Sequence, residues 1–528
     1  MKDTIVESSP RSLIELSSIK IFVDFLRKTS THGLRHIGEA HSKLYRTLWT
    51  MAFLAAFGLM LYFVFSCVFQ YLAYPTQTSV EIVAERGMRF PAVTVCNANP
   101  YRKDKMNAAL LAFSEKNRVN LTETNAESLA YSLLADLFNQ NETAELVDLG
   151  FQLDNMLLSC SYNGIECSHD FVLSISSVFG NCFTFNWNAF MKKLFTLGDM
   201  NSTLVIFQGL TLTFYVPSQL NFPSTLFDEG LVVLLHDNDE LPRTTEKGLR
   251  LKPGLAHTIN YEKSQTIFLP KPYTNCTSSV ELDLIALYKT MFNSIAIGQV
   301  AYSEVVCYQL CEQAFIFSVC SCILPIPLYT RYVFNREHDN LIFTNVCHPY
   351  TEEQTCALTT AQRFVSSPTT IAAWCSHCVL QCTYTYFPTE LSANLAPTTA
   401  QKAYWAPILL SNTSNWTNLS LPNDFAANYD TYMSSNYLRV TITCSKRYVT
   451  LNVQEAKLTI VDTFAAIGGQ TGLWIGLSVL SFIEVCELIY WQTVKWILAF
   501  RSWHQVKPST EIDLEKVESC SDQVDTKK

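Results

Sequence analysis

The chain has 528 residues, 48% hydrophobic and 16% charged, with a positive mean hydropathy; it is longer than one ordinary domain and too apolar for a purely soluble protein. Its formal net charge of -9 gives it no extended nucleic-acid-binding surface. A membrane protein with a large water-facing part fits these bounds.

In chain order, residues 1–47 carry Arg27, Lys28, Arg35, Lys43 and Arg46 ahead of the first apolar run. That run, LWTMAFLAAFGLMLYFVFSCVFQYL over 48–72, exceeds the roughly 20 residues needed to cross hydrocarbon. It starts after 47 residues and is bulky throughout, so it reads as a retained span and not as a cleavable signal peptide. Residues 73–459 alternate strand-like stretches such as STLVIFQGLTLTFYV and EGLVVLLHD with helical patterns such as AESLAYSLLADLF, where Leu129, Leu133 and Leu137 recur every four residues. No Pro-Gly-Ser linker divides this region, so it reads as one mixed α and β domain. A second span covers 460–494, and Lys495, Arg501 and Lys507 open a charged, solvated tail over 495–528. Positive charge flanking both spans on the terminal sides puts both termini in the cytoplasm. Seven N-x-S/T triplets, at Asn120, Asn141, Asn201, Asn275, Asn412, Asn415 and Asn418, all fall in the proposed exterior and read as glycosylation acceptors.

Of 18 cysteines, Cys67 and Cys486 lie in the spans and Cys520 in the tail, which leaves 15 outside. The close spacings Cys307-x3-Cys311, Cys320-x-Cys322 and Cys375-x2-Cys378-x3-Cys382 suit zinc, but an oxidising exterior makes disulfides the default. The odd count leaves one thiol over. Cys444 is the candidate, because in YLRVTITC it shares with Leu438, Val440 and Ile442 the apolar side of a half-buried strand, alternating with Tyr437, Arg439, Thr441 and Thr443, where a thiol is inert.

The second span, GGQTGLWIGLSVLSFIEVCELIY over 468–490, is poorly made for lipid. Gly468, Gly472 and Gly476 are spaced as small-xxx-small packing contacts, with Gly469 beside the first. A charge at the centre of a lipid-facing helix costs about 2.5–3.5 kcal/mol on insertion scales, so Glu484 and Glu487 are expected to face water or a partner. They are three apart, on one face with Ser478 and Ser481, and that stripe reads as a pore wall in which the glycines break the helix.

Taken together, His32-Gly33 before the first span, FPAVTVCNANPYR (90–102) after it, GGQTGLWIGLS in the second and the cysteine order resemble the degenerin, epithelial sodium channel and acid-sensing ion channel superfamily over nearly the whole chain. The resemblance implies a trimer, homomeric or built with related subunits, with two transmembrane helices and a disulfide-rich α+β ectodomain shaped like a hand clenched around a ball. It implies a plasma-membrane channel for sodium ions, blocked by amiloride, with membrane lipid around it and no cofactor or metal. The family's Gly-x-Ser filter corresponds to Gly476, Leu477 and Ser478, with Glu484 and Glu487 as acidic rings below. Ala465 matches the position where bulky substitution holds family channels open, and Gly472 one that affects amiloride block. His32 and Gly33 match a cytoplasmic re-entrant gating segment, and Tyr74 and Tyr273 an aromatic pair that couples ectodomain to pore. The implied disulfides are Cys96–Cys182, Cys160–Cys167, Cys276–Cys382, Cys307–Cys378, Cys311–Cys375, Cys320–Cys356 and Cys322–Cys347.

The chain also departs from its relatives. The segment ALTTAQRFVSSPTTIAAW between Cys356 and Cys375 has no carboxylate, so the acid-sensing pocket of proton-gated relatives is not expected here. No Pro-Pro-x-Tyr motif follows Lys507, and no basic tract beyond Lys192-Lys193 marks a cleavage site. Gating by an extracellular peptide, by mechanical force, or constitutive opening all fit. A two-span scavenger-type lipid receptor would share the topology but gain nothing from glycines and glutamates in its second span. An ectonucleotidase would need phosphate-cradling loops and clustered carboxylates that the exterior lacks; no enzyme is expected.

Overall fold

In a computed structural model, residues 20–85, 87–188, 195–197, 209–292, 300–326, 330–335, 338–410 and 421–505 are described. The sequons at Asn201, Asn412, Asn415 and Asn418, together with Lys192, Lys193, Lys507 and Cys520, lie outside them. The chain forms two compact units, one of residues 1–75 with 457–528 and one of residues 76–456.

In the first unit the helix Lys43–Leu72 runs for 30 residues, about 45 Å at 1.5 Å per residue. Met60 is its one buried residue among those described, while Leu54, Phe57, Tyr62, Phe65 and Phe69 are exposed. So much exposed apolar surface on one helix suits lipid. It is the one described helix that is long and apolar enough by itself to cross a membrane. The helices Ile460–Ile475 and Val479–Gln505 meet that standard only as a pair, bent by 72° at a short break. Ile460–Ile475 starts on a capping box, in which Thr459 N–H donates to Asp462 and Asp462 N–H to the Thr459 hydroxyl. It lies along the first helix, with Trp474 stacked on Phe63 at 5.8 Å between ring centroids.

The second span is therefore not punctuated by all its glycines, as its sequence suggests. Gly468, Gly469 and Gly472 sit inside the unbroken helix Ile460–Ile475, and the interruption is confined to 476–478. Helical hydrogen bonding tolerates a glycine at about 1 kcal/mol each. What ends this helix is the left-handed conformation of Gly476, at φ +67°.

The second unit is built on two sheets. Among the described residues one has eight strands, with Tyr437–Ala456 at its centre between Leu255–Ile267, which runs parallel to it, and Leu210–Tyr215 and Thr76–Ala84, which run antiparallel. The strand expected around Cys444 thus extends over 20 residues. Neighbours on both edges take up its backbone groups, which YLRVTITC alone does not announce. The other sheet is ordered Phe171–Ser176, Gly180–Phe185, Ala92–Asn97, Leu231–His236, Leu249–Leu251. Ala92–Asn97, the AVTVCN of the quoted motif, is buried at every position because it is paired on both edges and covered on both faces. Val93 and Val95 join one core cluster, with Phe183, Phe185, Val233 and Leu235, and Cys96 joins another with Val232.

Helices pack outside these sheets. Ala126–Asn139 buries Leu133, Leu137 and Phe138, with Leu129 packed beside the core, as the four-residue spacing predicts. Seven disulfides tie the described residues of this unit, and they join the same pairs that the resemblance implies. Cys444 is free. Its thiol donates to the Lys446 carbonyl at 2.9 Å, and burial pushes its pKa up although Arg447 pulls the other way. The three described sequon residues, Asn120, Asn141 and Asn275, are exposed.

The buried polar centre of the second sheet carries a pH expectation. His236 Nδ1–H donates to the Asp237 carbonyl at 2.9 Å, so Nε2 accepts from the Thr94 hydroxyl at 2.8 Å, which in turn accepts from Thr184. Burial pushes the His236 pKa down to about 4. The unfolded chain protonates near 6.5, so the stability His236 contributes is complete above that value and is lost as pH falls through about 4. Purified protein should melt at progressively lower temperature from pH 6.5 to 4.5. His236→Gln, which can still accept from Thr94, should show a flatter profile, and parallel profiles would contradict the assignment.

Candidate functional site: the broken helix and the segment docked against it

The break is held from two sides. Gly476 N–H donates to the Gly472 carbonyl at 3.0 Å and Leu477 N–H to the Thr471 carbonyl at 3.2 Å, which closes the upper helix. Ser478 caps the lower one: its hydroxyl accepts from Ser481 N–H, and Ser478 N–H donates to the Ser481 hydroxyl, both at 3.2 Å. Between the two helices, Gly476, Leu477 and Ser478 are the only residues out of helical conformation.

The N-terminal segment 29–33 lies against this break. His32 N–H donates to the Ile475 carbonyl at 2.8 Å, an acceptor set free by the end of the helix. The His32 ring occupies the space where a side chain at Gly476 would project, with a β-carbon there 2.7 Å from Cγ and Nδ1. Gly33 adopts φ +83°, and a β-carbon on it would meet Phe53 of the first long helix at 3.3 Å. The His-Gly dipeptide thus has a local reason for each residue: a ring over the break, then a turn that only glycine adopts easily.

Glu484 is the second anchor. Its Oε2 accepts from the Thr29 hydroxyl at 2.9 Å, from Ser30 N–H at 3.0 Å and from the Ser30 hydroxyl at 3.3 Å. The Ser30 hydroxyl also lies 2.7 Å from that of Ser481, which is fully buried. The sequence places Ser478, Ser481, Glu484 and Glu487 on one water-facing stripe, with the two glutamates as stacked acidic rings. In the structure the glutamates differ: Glu484 holds the N-terminal segment, whereas Glu487 is exposed and accepts from Trp491 Nε1 at 3.4 Å, one turn further on. A carboxylate in three charge-assisted hydrogen bonds is not bare.

The other sequence-predicted positions are spread along the chain. Ala465 and Gly472 are exposed on Ile460–Ile475, and β-carbons at Gly468, Gly469 and Gly472 would meet nothing within 4 Å. Among the described residues nothing occupies this open strip of small residues. Tyr74, at φ +48°, follows the end of the first long helix in one unit, and Tyr273 sits in a turn of the other. Thr29 and Ser30 were not singled out from sequence. The polar run TSTHG over 29–33 beside the His-Gly pair, and the Ser478-x-x-Ser481 cap pattern, are the signals that point to them.

Comparison with known proteins places this geometry in a family. The family model described as amiloride-sensitive sodium channel matches residues 25–488, from just before the docked segment to just past the acidic stretch. The human bile acid-sensitive ion channel is 24% identical, over 94% of this chain and 92% of the relative. Zebrafish (Danio rerio) acid-sensing ion channel 1C is 25% identical over 88% of this chain and 82% of its own, and mouse (Mus musculus) acid-sensing ion channel 4 is 25% identical over 92% and 81%. The chain therefore belongs to the amiloride-sensitive sodium channel family, in the degenerin, epithelial sodium channel and acid-sensing ion channel superfamily, and is an ion channel and not an enzyme.

Proposed function

We propose that this chain is a pore-forming subunit of a trimeric, sodium-selective, amiloride-sensitive channel of the plasma membrane. Helix 48–72 and the broken pair within 460–494 are its two spans, residues 73–459 its glycosylated exterior, and residues 1–47 and 495–528 its cytoplasmic ends. The observation that carries the reading is the three-residue break at Gly476-Leu477-Ser478 in an otherwise apolar helical pair. Non-helical backbone at membrane depth is tolerated where it lines water or is buried in protein, and three chains meeting there would turn carbonyl oxygens toward a dehydrating ion. The open glycine strip supplies the surface through which such chains approach. A lipid receptor has no use for either feature.

The N-terminal segment is the gating element in this reading, held closed to the pore wall through His32, Thr29, Ser30 and Glu484. The mouse and zebrafish relatives are named for acid and the human one for bile acid, but the segment between Cys356 and Cys375 here has no carboxylate to titrate. An extracellular ligand such as a peptide, mechanical force and constitutive opening are the modes to test. Voltage clamp of oocytes expressing the full chain, alone and with related subunits, should record an inward sodium current that amiloride blocks. Gly472→Ser should weaken that block about tenfold, a loss of about 1.4 kcal/mol. Surface-expressed protein that passes no amiloride-sensitive current under acid, amidated peptides or stretch contradicts the proposal.

A further inference from the structure

Among the described residues an apolar cavity lies in the exterior unit and has no part in the site above. It measures about 420 Å³, within the range of small-molecule pockets. One wall is the helix Ala126–Asn139, which presents Leu134 and Phe138; another is the turn after Phe171–Ser176, with Val178; the third is formed by 324–326 and 346–354. Leu226, Ile326 and Tyr350 are strongly exposed at its walls, a rim of apolar side chains.

Its chemistry narrows the occupant. None of the lining residues is acidic, basic or histidine, so a charged group would be desolvated there without a counter-charge. The Tyr131 hydroxyl is buried at this wall without a hydrogen-bond partner among the described residues, whereas three other polar wall residues are engaged elsewhere. The Ser176 hydroxyl accepts from the N–H groups of Val178 and Phe179, Asn181 Nδ2 donates to the Val147 and Phe151 carbonyls, and Gln354 Oε1 accepts from Tyr350 N–H. A peptide backbone would find few partners. We propose that the cavity binds a small, uncharged, mainly apolar molecule and that its occupancy regulates the channel.

The walls supply the means of coupling. Asn139, at the end of the first wall, exchanges hydrogen bonds with the Val346 backbone at 2.8 and 3.1 Å. Val346 precedes Cys347, which is bonded to Cys322, and the helix Glu352–Val365 that starts at the cavity is bonded through Cys356 to Cys320. A ligand wedged between these walls therefore acts on two disulfide-stapled helices, Glu304–Cys320 and Glu352–Val365, as one body. The binding half of the proposal stands alone, and the regulatory half rests on the channel reading.

The test uses the full chain carrying Leu134→Cys, with the parent, which retains Cys67, Cys444, Cys486 and Cys520, as control. Neutral benzyl methanethiosulfonate should label position 134 of surface protein faster than its trimethylammonium analogue. Naphthalene at a few times its dissociation constant should slow that labelling about fivefold by mass action. Tethering the benzyl group should change sodium current about fivefold or more, the lower end of ordinary coupling between sites, and leave the parent unchanged. Labelling that naphthalene does not slow, or surface protein that neither reagent labels, overturns the binding site. Protection by naphthalene with an unaltered current after tethering overturns the regulation. Protection in a chain whose parent passes no sodium current instead removes the channel reading and leaves the binding site standing.

Discussion

Valine at position 476 is expected to cut sodium current per surface channel more than tenfold while the protein still reaches the membrane. Two independent costs meet at this residue. Gly476 holds φ +67°, where an L side chain costs roughly 1–2 kcal/mol and a β-branched one more. A β-carbon would also lie 2.7 Å from His32, so the docked segment must move or the break must straighten. The costs are separable by a double-mutant cycle. His32→Ala removes the ring that the new side chain strikes, so Gly476→Ala should be better tolerated in that background than alone. Additive losses would mean that His32 and Gly476 do not touch in the working channel.

Truncation of Glu484 to alanine has the second large expected effect. It leaves the Thr29 hydroxyl and the Ser30 donors without their acceptor, and hydrogen bonds to a charged group contribute about 1.5–3 kcal/mol each. Release of the N-terminal segment should then shift the open fraction about tenfold or more. Glutamine separates the two roles open to this residue. Its carbonyl oxygen still accepts from Thr29 and Ser30, so if Glu484 anchors the segment, Glu484→Gln should gate almost normally, and Thr29→Val with Ser30→Ala should reproduce the alanine phenotype. If the carboxylate serves as a bare acidic ring for cations, glutamine should lower single-channel conductance as much as alanine does, and the Thr29 and Ser30 changes should be silent.

The contrast between those outcomes reflects what the sequence could carry. An uninterrupted apolar run was enough for the first long helix and four-residue periodicity for Ala126–Asn139, because each pattern is read within one element. Motif order was enough for the family and for the seven disulfide pairs, although no single spacing among those cysteines determines a partner. Position 476 was legible as a glycine in the filter motif, but Gly468, Gly469 and Gly472 look the same in one dimension and remain helical. Only the conformation at 476, with His32 over it, tells them apart. The partners of Glu484 were illegible for another reason. Thr29 and Ser30 lie about 450 residues away in the chain, and a short polar run there looks like any solvated loop until the fold brings it to the carboxylate. Likewise the 420 Å³ cavity draws its walls from several segments distant in the chain, none of which is unusual alone.

The central claim, that ions cross at the break over 476–478, is tested most directly by reversal potential in a chain held open. Ala465→Phe, at the exposed position where bulk opens related channels by resemblance, supplies current without knowledge of the stimulus. In that background the reversal potential should follow the sodium gradient, amiloride should block, and Ser478→Cys should change the sodium-to-potassium permeability ratio at unchanged surface density. A reversal potential indifferent to sodium, or a permeability ratio unmoved by Ser478→Cys in an equally conducting channel, would contradict the account.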